Sequence, residues 1–448
     1  MTPRLSDSRT YLLFDRQRNP IRARERKTQA CIFSMKHPEF FVACAVMLAS
    51  YITLHLYSAG WLARSFNMSP GALRNARLIF LLLAFLPPFT MFLRRAASSW
   101  NLEYLSFFGF LWMGLILIAG SAFIFYDAVK FISPRWFAAA PPERLPLYYA
   151  LFLCLIAVYS LYEGLKVPPL KEIELKVPEL PPQYEGLRLA QISDIHIDSR
   201  YQLERFLKIA GKVSALNPDY LLFTGDFIDP GMKCGDELAT AVKGIHVKKG
   251  VFGSLGNHEY YYGPGNSYAC YDRCGIKLLK NETADSGGVK ITGINDIRTA
   301  QITAGDLDRI LKEVSGDKFS IILSHQPLLY REIAQKGRFL VLSGHVHRGQ
   351  IFPFNLFTRI FYGYFYGLYR IEDSFFYVTS GAGAWGPPMR LLAPSEIPVI
   401  KLIKQRTSPD WSRGRFIMLK RSSRGFSIQP FNFTLLLLCG RPAEIYAQ

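Results

Sequence analysis

The first 165 residues alternate long apolar stretches with short polar segments. Four stretches contain no Asp, Glu, Lys or Arg, and they cover residues 40–63, 78–93, 104–126 and 145–162. A helix needs about 20 apolar residues to cross a bilayer, and ~17 can suffice. The first and third stretches exceed that length, whereas the second is short and contains Pro87 and Pro88. The pattern predicts four transmembrane helices within residues 40–165.

Basic residues set the expected orientation of these helices. Residues 1–39 form a basic N-terminal segment with nine Lys or Arg, which the positive-inside rule places in the cytoplasm. Arg94 and Arg95 fall on the same side if all four stretches cross, and so does the chain after residue 163. We therefore predict a multi-pass protein of the plasma (inner) membrane with a cytoplasmic second half. Three crossings, without the Pro87–Pro88 stretch, would instead place that half outside.

The second half has a different pattern. Residues 166–180 are proline-rich, which is typical of an extended linker or an opening strand. Helix-like spacing of apolar residues covers residues 203–216 and 306–314. Together with intervening strand-like runs, it predicts an α/β domain over residues 181–404 with partly parallel strands, whose ligands gather at the strands' carboxyl ends. The predicted strands are residues 187–192, 220–223, 251–255, 319–323, 339–342 and 375–379.

The net charge of +18 is concentrated outside that domain. Residues 181–404 hold 26 Lys or Arg against 22 Asp or Glu, whereas residues 1–180 hold 20 against 11 and residues 405–448 hold 7 against 2. A basic excess beside apolar segments favours contact with a membrane surface, and we expect no nucleic-acid partner. The basic tail, residues 405–448, contains an apolar run that is too short to span, and we assign it no function.

The seven cysteines are scattered through both halves, which does not suggest a disulfide framework. A reducing compartment is the simpler interpretation. Cys270 and Cys274 form a close pair, but without a second pair or neighbouring histidines their spacing is a weak zinc signal. We predict a structural role for them.

Polar motifs follow the predicted strands and contain five of the eight histidines. Such a concentration at one sheet edge favours a metal site over isolated structural residues. Carboxylate and imidazole donors without thiolates suit divalent Mn, Fe or Zn. The motifs are Ser193-Asp194-Ile195-His196, Gly225-Asp226, Gly256-Asn257-His258-Glu259, Ser324-His325 and Gly344-His345-Val346-His347.

Local geometry can bring these donors together. Residues two apart in an extended segment point the same way, so Asp194 with His196, and His345 with His347, could each serve one site. The glycines of the motifs, Gly225, Gly256 and Gly344, would allow tight turns and leave space beside the backbone.

The ordered motifs resemble those of the calcineurin-like metallophosphoesterases over residues 186–404. Residues 343–351 (Ser-Gly-His-Val-His-Arg-Gly-Gln-Ile) and 387–390 (Pro-Pro-Met-Arg) are similar to the bacterial YkuE/YaeI-like branch. The resemblance implies a sandwich of two mixed sheets flanked by helices, here preceded by an all-α transmembrane region. It also implies a metal-dependent phosphoric ester or anhydride hydrolase with two divalent ions.

Carried over residue by residue, the resemblance implies two ligand sets that share a bridging Asp226. His258 would contact the substrate phosphate and act as general acid, with Glu259 orienting it. The implied sets are Asp194, His196, Asp226 and His347 for one ion, and Asp226, Asn257, His325 and His345 for the other.

Four further charged residues lie outside the implied ligand sets. Arg348 stands where the branch usually has a small residue, and it could bind a second phosphate or acidic group, or simply face solvent. Arg390 is a similar candidate for substrate binding, better supported by its motif. Asp198 and Asp296 are predicted to be structural.

The segment from residue 352 to residue 369 is rich in aromatic residues, most of which should pack in the interior. Some could line an apolar entry facing the bilayer, which would suit a lipid-linked phosphodiester or pyrophosphate. The family that the motifs resemble includes hydrolases of UDP-2,3-diacylglucosamine in lipid A synthesis, so the resemblance makes this compound the favoured substrate. A broad phosphodiesterase on soluble substrates and a non-catalytic metal-binding scaffold are the alternatives. The aromatic residues are Phe352, Phe354, Phe357, Phe361, Tyr362, Tyr364, Phe365, Tyr366 and Tyr369.

Overall fold

The computed structural model describes residues 38–96, 102–132, 144–229 and 234–405, all within one unit of the chain. The basic stretch before residue 38 and the tail after residue 405 lie outside these ranges, so the interpretations of both stay predictions.

Four long helices open the described part of the chain. Each is long and apolar enough to cross a membrane. Pro87 and Pro88 lie inside the second helix, which continues beyond them, so the stretch that was short by sequence belongs to a 27-residue helix. The helices are α1 (Pro38–Ser65), α2 (Pro70–Ala96), α3 (Glu103–Ile132) and α4 (Leu145–Leu165).

The outer surface of this bundle is apolar. Met47, Phe92 and Leu155 are 71%, 67% and 69% exposed, although such side chains are normally withdrawn from water. Inside, the Trp61 ring stacks on Phe123 with centroids 4.0 Å apart. A surface of this kind is suited to lipid, which supports a membrane region within the described residues.

The second half forms two six-stranded sheets. The first has the order β1-β12-β2-β3-β4-β5 and the second β10-β11-β9-β8-β7-β6, and both mix parallel with antiparallel pairs. Residues 166–180 thus contain an edge strand as well as a linker. The strands are β1 (Leu170–Pro178), β2 (Arg188–Ile192), β3 (Tyr220–Thr224), β4 (Gly250–Ser254), β5 (Lys277–Leu278), β6 (Glu282–Ser286), β7 (Val289–Ile294), β8 (Gly316–Ser324), β9 (Gly337–Ser343), β10 (Gly367–Ile371), β11 (Ser374–Val378) and β12 (Ile397–Gln405).

Helices cover the outer faces of both sheets, while the inner faces share one core that includes Leu189, Leu222 and Leu342. The result is the predicted sandwich of two mixed sheets flanked by helices, and the fold prediction is confirmed. The helices are α5 (Arg200–Leu216), α6 (Asp236–Lys243), α7 (Asn257–Tyr262), α8 (Pro264–Arg273), α9 (Ala304–Ile310), α10 (Tyr330–Ala334) and α11 (Phe354–Phe361), with 3-10 turns at Pro182–Tyr184 and His347–Gly349.

The sandwich packs directly on the helix bundle. Arg94, near the end of α2, pairs with Asp198 at 3.2 Å, and the Glu103 carboxylate at the start of α3 accepts the Arg200 backbone N–H at 3.0 Å. Ser160, near the end of α4, accepts the Arg390 backbone N–H at 2.8 Å. The bundle thus meets the sandwich through ends of three helices, as expected if successive helices run in opposite directions.

One loop of the sandwich enters the bundle. Met389 is fully buried and packs with Ile118 of α3 and with Ile351. A Cβ on Gly114 would lie 3.1 Å from Pro387, and one on Gly164 would collide with the Pro388 backbone. The two helix glycines therefore make room for residues 387–389.

Candidate metal site

The predicted ligands converge where β2, β3, β8 and β9 end. His196 Nε2 lies 3.0 Å from His347 Nε2 and 3.7 Å from Asp226 Oδ2, and His347 Nε2 lies 3.5 Å from Asp194 Oδ1. Imidazole nitrogens can face each other at this distance when they share a proton or a cation. All four residues are buried.

A second group adjoins the first through Asp226. His325 Nε2 lies 3.1 Å from Asp226 Oδ2 and 3.3 Å from His345 Nδ1. His325 Nδ1 is 2.7 Å from the Thr224 carbonyl oxygen, which fixes the ring's orientation. Asp226 therefore stands between two clusters of imidazoles.

The backbone that presents these side chains is not extended, and our explanation of the paired donors was wrong. Asp194 and His196 have φ of 56° and 55°, and His345 and His347 have φ of 70° and 46°. This left-handed region is costly for residues other than glycine and is held only where the surrounding fold compels it. The donors of each pair converge because strained turns, rather than strand alternation, aim them.

Two of the motif glycines provide space rather than an unusual φ. A Cβ on Gly344 would overlap the Asp194 carboxylate, and one on Gly256 would overlap Asp226. Gly225 does both, because its φ is 85° and a Cβ would come within 2.7 Å of His325. Each glycine thus lets two ligand-bearing loops touch.

The residues fit divalent cations. Three buried atoms of the site have no hydrogen-bond partner, although buried polar atoms are nearly always paired: Asp194 Oδ2, Asn257 Oδ1 and His258 Nδ1. Asp194 and Asn257 belong to the predicted ligand sets. A donor set of carboxylate, amide and imidazole without thiolate is also suitable for Mn, Fe or Zn.

Electrostatics divides the imidazoles into two kinds. Burial, together with the charge of His325, lowers the pKa of His345 to about 3, and burial lowers the pKa of His347 well below its usual range. Burial also opposes charge on His196, but Asp229 and then Asp226 raise its pKa to about 9. His345 and His347 are thus held neutral, whereas burial is outweighed at His196 and also at His325, whose pKa Asp226 raises well above its usual range. A cation bound there would displace a proton from each of these two imidazoles.

Sequence reasoning missed Asp229. Its Oδ1 lies 2.9 Å from His196 Nδ1 and 2.7 Å from His258 Nδ1, so one carboxylate contacts two site imidazoles. Burial would raise the pKa of Asp229, but those two imidazoles lower it overall. The spacing of three residues from Asp226 could have indicated that Asp229 belongs to the same loop.

Glu259 has a different role from the one expected. Its buried carboxylate accepts backbone N–H groups of Asp226, Phe227 and Gly256 at 2.7–2.9 Å. It therefore organises the loops around the site, and the carboxylate beside the His258 ring belongs to Asp229. The His258 backbone N–H in turn donates to Asp226 Oδ1 at 2.9 Å.

The two candidate arginines occupy different surroundings. The Arg348 guanidinium lies 4.2 Å from the ring centre of Tyr366. Arg390 is buried and donates to the carbonyls of Gly383, Ala393 and Ser380 at 2.6–2.9 Å. Its NH2 group also lies 3.3 Å from His347 Nδ1. Arg390 is thereby committed to neighbouring loops and to a predicted ligand.

None of the nine aromatic residues between residues 352 and 369 is buried, so the expectation that most pack in the interior was wrong: five are half-buried and four are exposed. Tyr362, Tyr364 and Tyr369 pack against the core of the second sheet, and Tyr362 OH lies 2.9 Å from His345 Nε2. By contrast, the aromatic residues of α11 are exposed.

The two aspartates predicted to be structural have partners of their own. Asp198 pairs with Arg94, and Asp296 Oδ1 accepts the Thr299 N–H at 2.8 Å.

The cysteines depart from expectation. Cys234 and Cys270 form a disulfide with Cα atoms 5.5 Å apart, whereas Cys274 is buried and unpaired. The close sequence pair is therefore not the bonded pair. Because disulfides persist in oxidising compartments, this bond argues against the reducing compartment that we predicted.

Residues 187–349 match the family model described as calcineurin-like phosphoesterase. A metallophosphoesterase of Helicobacter pylori is 30% identical over 363 residues, which cover 72% of this chain and 97% of the relative. The chain belongs to the calcineurin-like metallophosphoesterases.

Two other relatives of this metallophosphoesterase add detail. A protein of Danio rerio named transmembrane protein with metallophosphoesterase domain is 30% identical, covering 55% of this chain and 60% of its own length. The metallophosphoesterase YkuE of Bacillus subtilis is 28% identical, covering 52% of this chain and 84% of its own length. The metallophosphoesterase described here is thus a phosphoester hydrolase with apolar membrane helices.

Proposed function

We propose that this membrane metallophosphoesterase uses two divalent cations to hydrolyse a phosphodiester or pyrophosphate bond in a lipid-linked nucleotide. The hydrolase class follows from the family. The dinuclear site is supported by the two imidazole clusters that meet at Asp226, with orphaned oxygens on Asp194 and Asn257. The observation that carries the lipid-linked substrate is the packing of the ligand-bearing edge on the membrane helices.

The proposed ligand sets follow the clusters, with Asp226 shared by both cations. Bound divalent cations would supply an activated water and neutralise charge on the phosphate. The proposed ligand residues are Asp194, His196, Asp226 and His347 for one cation, and Asp226, Asn257, His325 and His345 for the other.

His258 is the proposed general acid, and Asp229 holds its ring. The His258 side chain is only 11% exposed, and its Nδ1 faces Asp229. A proton on its other nitrogen, Nε2, could then be given to the departing oxygen of the substrate. Arg390, whose donors are occupied by carbonyls, positions His347 in this proposal rather than binding substrate. Arg348 stays a candidate for contact with an acidic substrate group.

The membrane argument rests on contacts between the site and the helices. Arg390 joins Ser160 of α4 through its backbone and approaches His347 through its side chain. Two residues beyond His196, Asp198 pairs with Arg94 of α2. A substrate held in the membrane would therefore have only a short distance to travel, and UDP-2,3-diacylglucosamine is our favoured example.

The soluble-substrate alternative would require the same catalytic residues but no help from lipid. Purified full-length protein in detergent should cleave bis-p-nitrophenyl phosphate with Mn²⁺ and lose that activity in EDTA. If UDP-2,3-diacylglucosamine is cleaved and competes strongly with the chromogenic diester, the lipid-linked proposal is supported. Cleavage of the diester without competition favours a soluble substrate, and no cleavage despite bound Mn²⁺ favours a scaffold.

Two observations bear on the side of the membrane. The basic residues before α1 support a cytoplasmic sandwich, which we propose, whereas the Cys234–Cys270 disulfide favours an oxidising side. A reporter fused to the C-terminus, active on only one side of the membrane, decides between them. Activity on the outer side would refute the cytoplasmic placement.

A further inference from the structure

Exposed apolar side chains of the sandwich are gathered near the metal site. Within the described residues from 166 onward, every exposed large apolar side chain belongs to one of three segments. One follows His258, one follows His347, and one surrounds Arg390. These exposed side chains are Tyr261, Phe352, Phe354, Leu356, Phe357, Ile360, Phe361, Trp385 and Leu392.

The densest group lies on α11, none of whose residues is buried. At roughly 100° per residue, its apolar side chains occupy an arc of about 160° and its polar side chains the opposite arc. Ile360 and Phe361 are 78% and 81% exposed. The apolar arc carries Phe354, Leu356, Phe357, Ile360 and Phe361, and the polar arc carries Asn355, Thr358 and Arg359.

Contacts at the start of α11 tie it to the membrane helices. Ile351 is 3% exposed and packs with Ile118 of α3 and with Met389. The next residue, Phe352, donates its N–H to the Leu391 carbonyl at 3.2 Å. Because α11 begins only two residues later, it is held beside the surface that the bundle offers to lipid.

The end of α11 reaches the metal site. Tyr362 follows the helix directly, and its hydroxyl lies 2.9 Å from His345 Nε2. Near the same site, the Trp385 ring lies 5.7 Å from that of His258 and is 53% exposed. The apolar surface thus continues from the membrane helices to the catalytic groups.

We propose that α11 is inserted in the bilayer, with its apolar arc among the acyl chains and its polar arc toward the headgroups. A short helix with this division of side chains lies in the plane of a membrane interface. The insertion does not depend on which phosphoester is the substrate. If the proposed lipid-linked substrate is correct, α11 would also place its acyl chains next to the site.

Depth-dependent fluorescence quenching tests the insertion in full-length protein reconstituted in phosphatidylcholine vesicles. Ile360→Trp adds a tryptophan on the apolar arc, and Arg359→Trp adds one on the polar arc as the matched control. Emission is compared in vesicles with and without lipids brominated along the acyl chain. Subtracting the wild-type signal isolates the added tryptophan.

We expect the Ile360→Trp increment to lose at least half of its intensity in brominated vesicles, and the Arg359→Trp increment to lose much less. Equal, weak quenching with emission typical of water would refute insertion. Weak quenching with blue-shifted emission would also refute it, because the arc would then be covered by protein such as a second copy.

A charge variant separates insertion from turnover. Ile360→Asp should keep hydrolysis of bis-p-nitrophenyl phosphate within about twofold, because Ile360 faces away from the ligands and that substrate is soluble. This activity also shows that the variant folds. Loss of lipid-substrate hydrolysis alone would extend the proposal, whereas quenching without any lipid-substrate activity would leave insertion standing and overturn only the proposed substrate.

Discussion

Replacing Asp229 with Asn tests how the site orients His258, the proposed general acid. The carboxylate lies 2.7 Å from His258 Nδ1 and 2.9 Å from His196 Nδ1. Asn keeps the size of the side chain but removes the negative charge. The substitution therefore weakens two contacts at once, one to a proposed ligand and one to the proposed acid.

The two contacts differ in type. The contact with His196 is a hydrogen bond, whereas His258 Nδ1 lies at ion-pair distance from the carboxylate without hydrogen-bond geometry. A hydrogen bond to a charged group contributes about 1.5–3 kcal/mol, and about 1.4 kcal/mol is a tenfold change. Residues that hold metal ligands typically change affinity or activity by about 10–100-fold. We therefore expect Asp229→Asn to lower kcat about 10–100-fold at saturating Mn²⁺, and separately to weaken Mn²⁺ binding.

Full-length protein in detergent should be assayed with bis-p-nitrophenyl phosphate across a Mn²⁺ titration, with bound metal measured by atomic absorption. Asp272→Asn, at an exposed position, removes the same charge away from the site and should behave as wild type. If kcat of Asp229→Asn recovers fully with more Mn²⁺, Asp229 supports only metal binding and the proposed link to His258 is wrong.

Three further outcomes are expected. Asp226→Ala should lose bound metal from both clusters, whereas His258→Ala should retain metal and show a kcat lowered by about 10²–10⁴-fold. Equal metal loss in the two variants would exclude His258 as the acid. Gly164→Ala should lower the melting temperature and the activity, because its Cβ would collide with the Pro388 backbone. Gly211→Ala, whose Cβ would meet open space, should instead stabilise α5 by about 0.4–1 kcal/mol. Differential scanning fluorimetry measures the stability of the two variants. Because the pKa of His196 is raised to about 9, metal binding at pH 7.5 should release the His196 proton, and metal affinity should increase as the pH rises toward 9. Calorimetry in buffers of different ionisation enthalpy measures this proton release. Finding none would contradict the prediction.

The sheets and the convergence of the proposed ligand residues were predictable because both leave local signals. Strand runs such as residues 220–223 are short and apolar, and β3 covers Tyr220–Thr224. The polar motifs that follow the strands contain the residues that converge. Which atoms face each other was not predictable, because left-handed turns at Asp194 and His345 depend on contacts from other loops.

Long-range partners account for the misses. The contact of Asp229 with His196 could not be predicted from sequence, because it forms only when β2 and β3 pair and bring the two residues together. The resemblance implied that Glu259 orients His258, yet its carboxylate accepts backbone N–H groups of Gly256 and of the Asp226 loop. Arg390 was a candidate for substrate binding by sequence, but its guanidinium donates to backbone carbonyls of neighbouring loops.

The insertion of Met389 between the membrane helices bears on how the molecule is made. The helices are synthesised before residue 389, so the socket at Gly114 and Gly164 can exist before the loop that fills it. We expect the loop, and with it the Arg390 contact to His347, to settle only on an inserted bundle. Such an order would keep a phosphoester hydrolase inactive until it reaches its membrane. A chain starting at residue 166 should then fold with weak Mn²⁺ retention, and full retention by that fragment would refute this dependence.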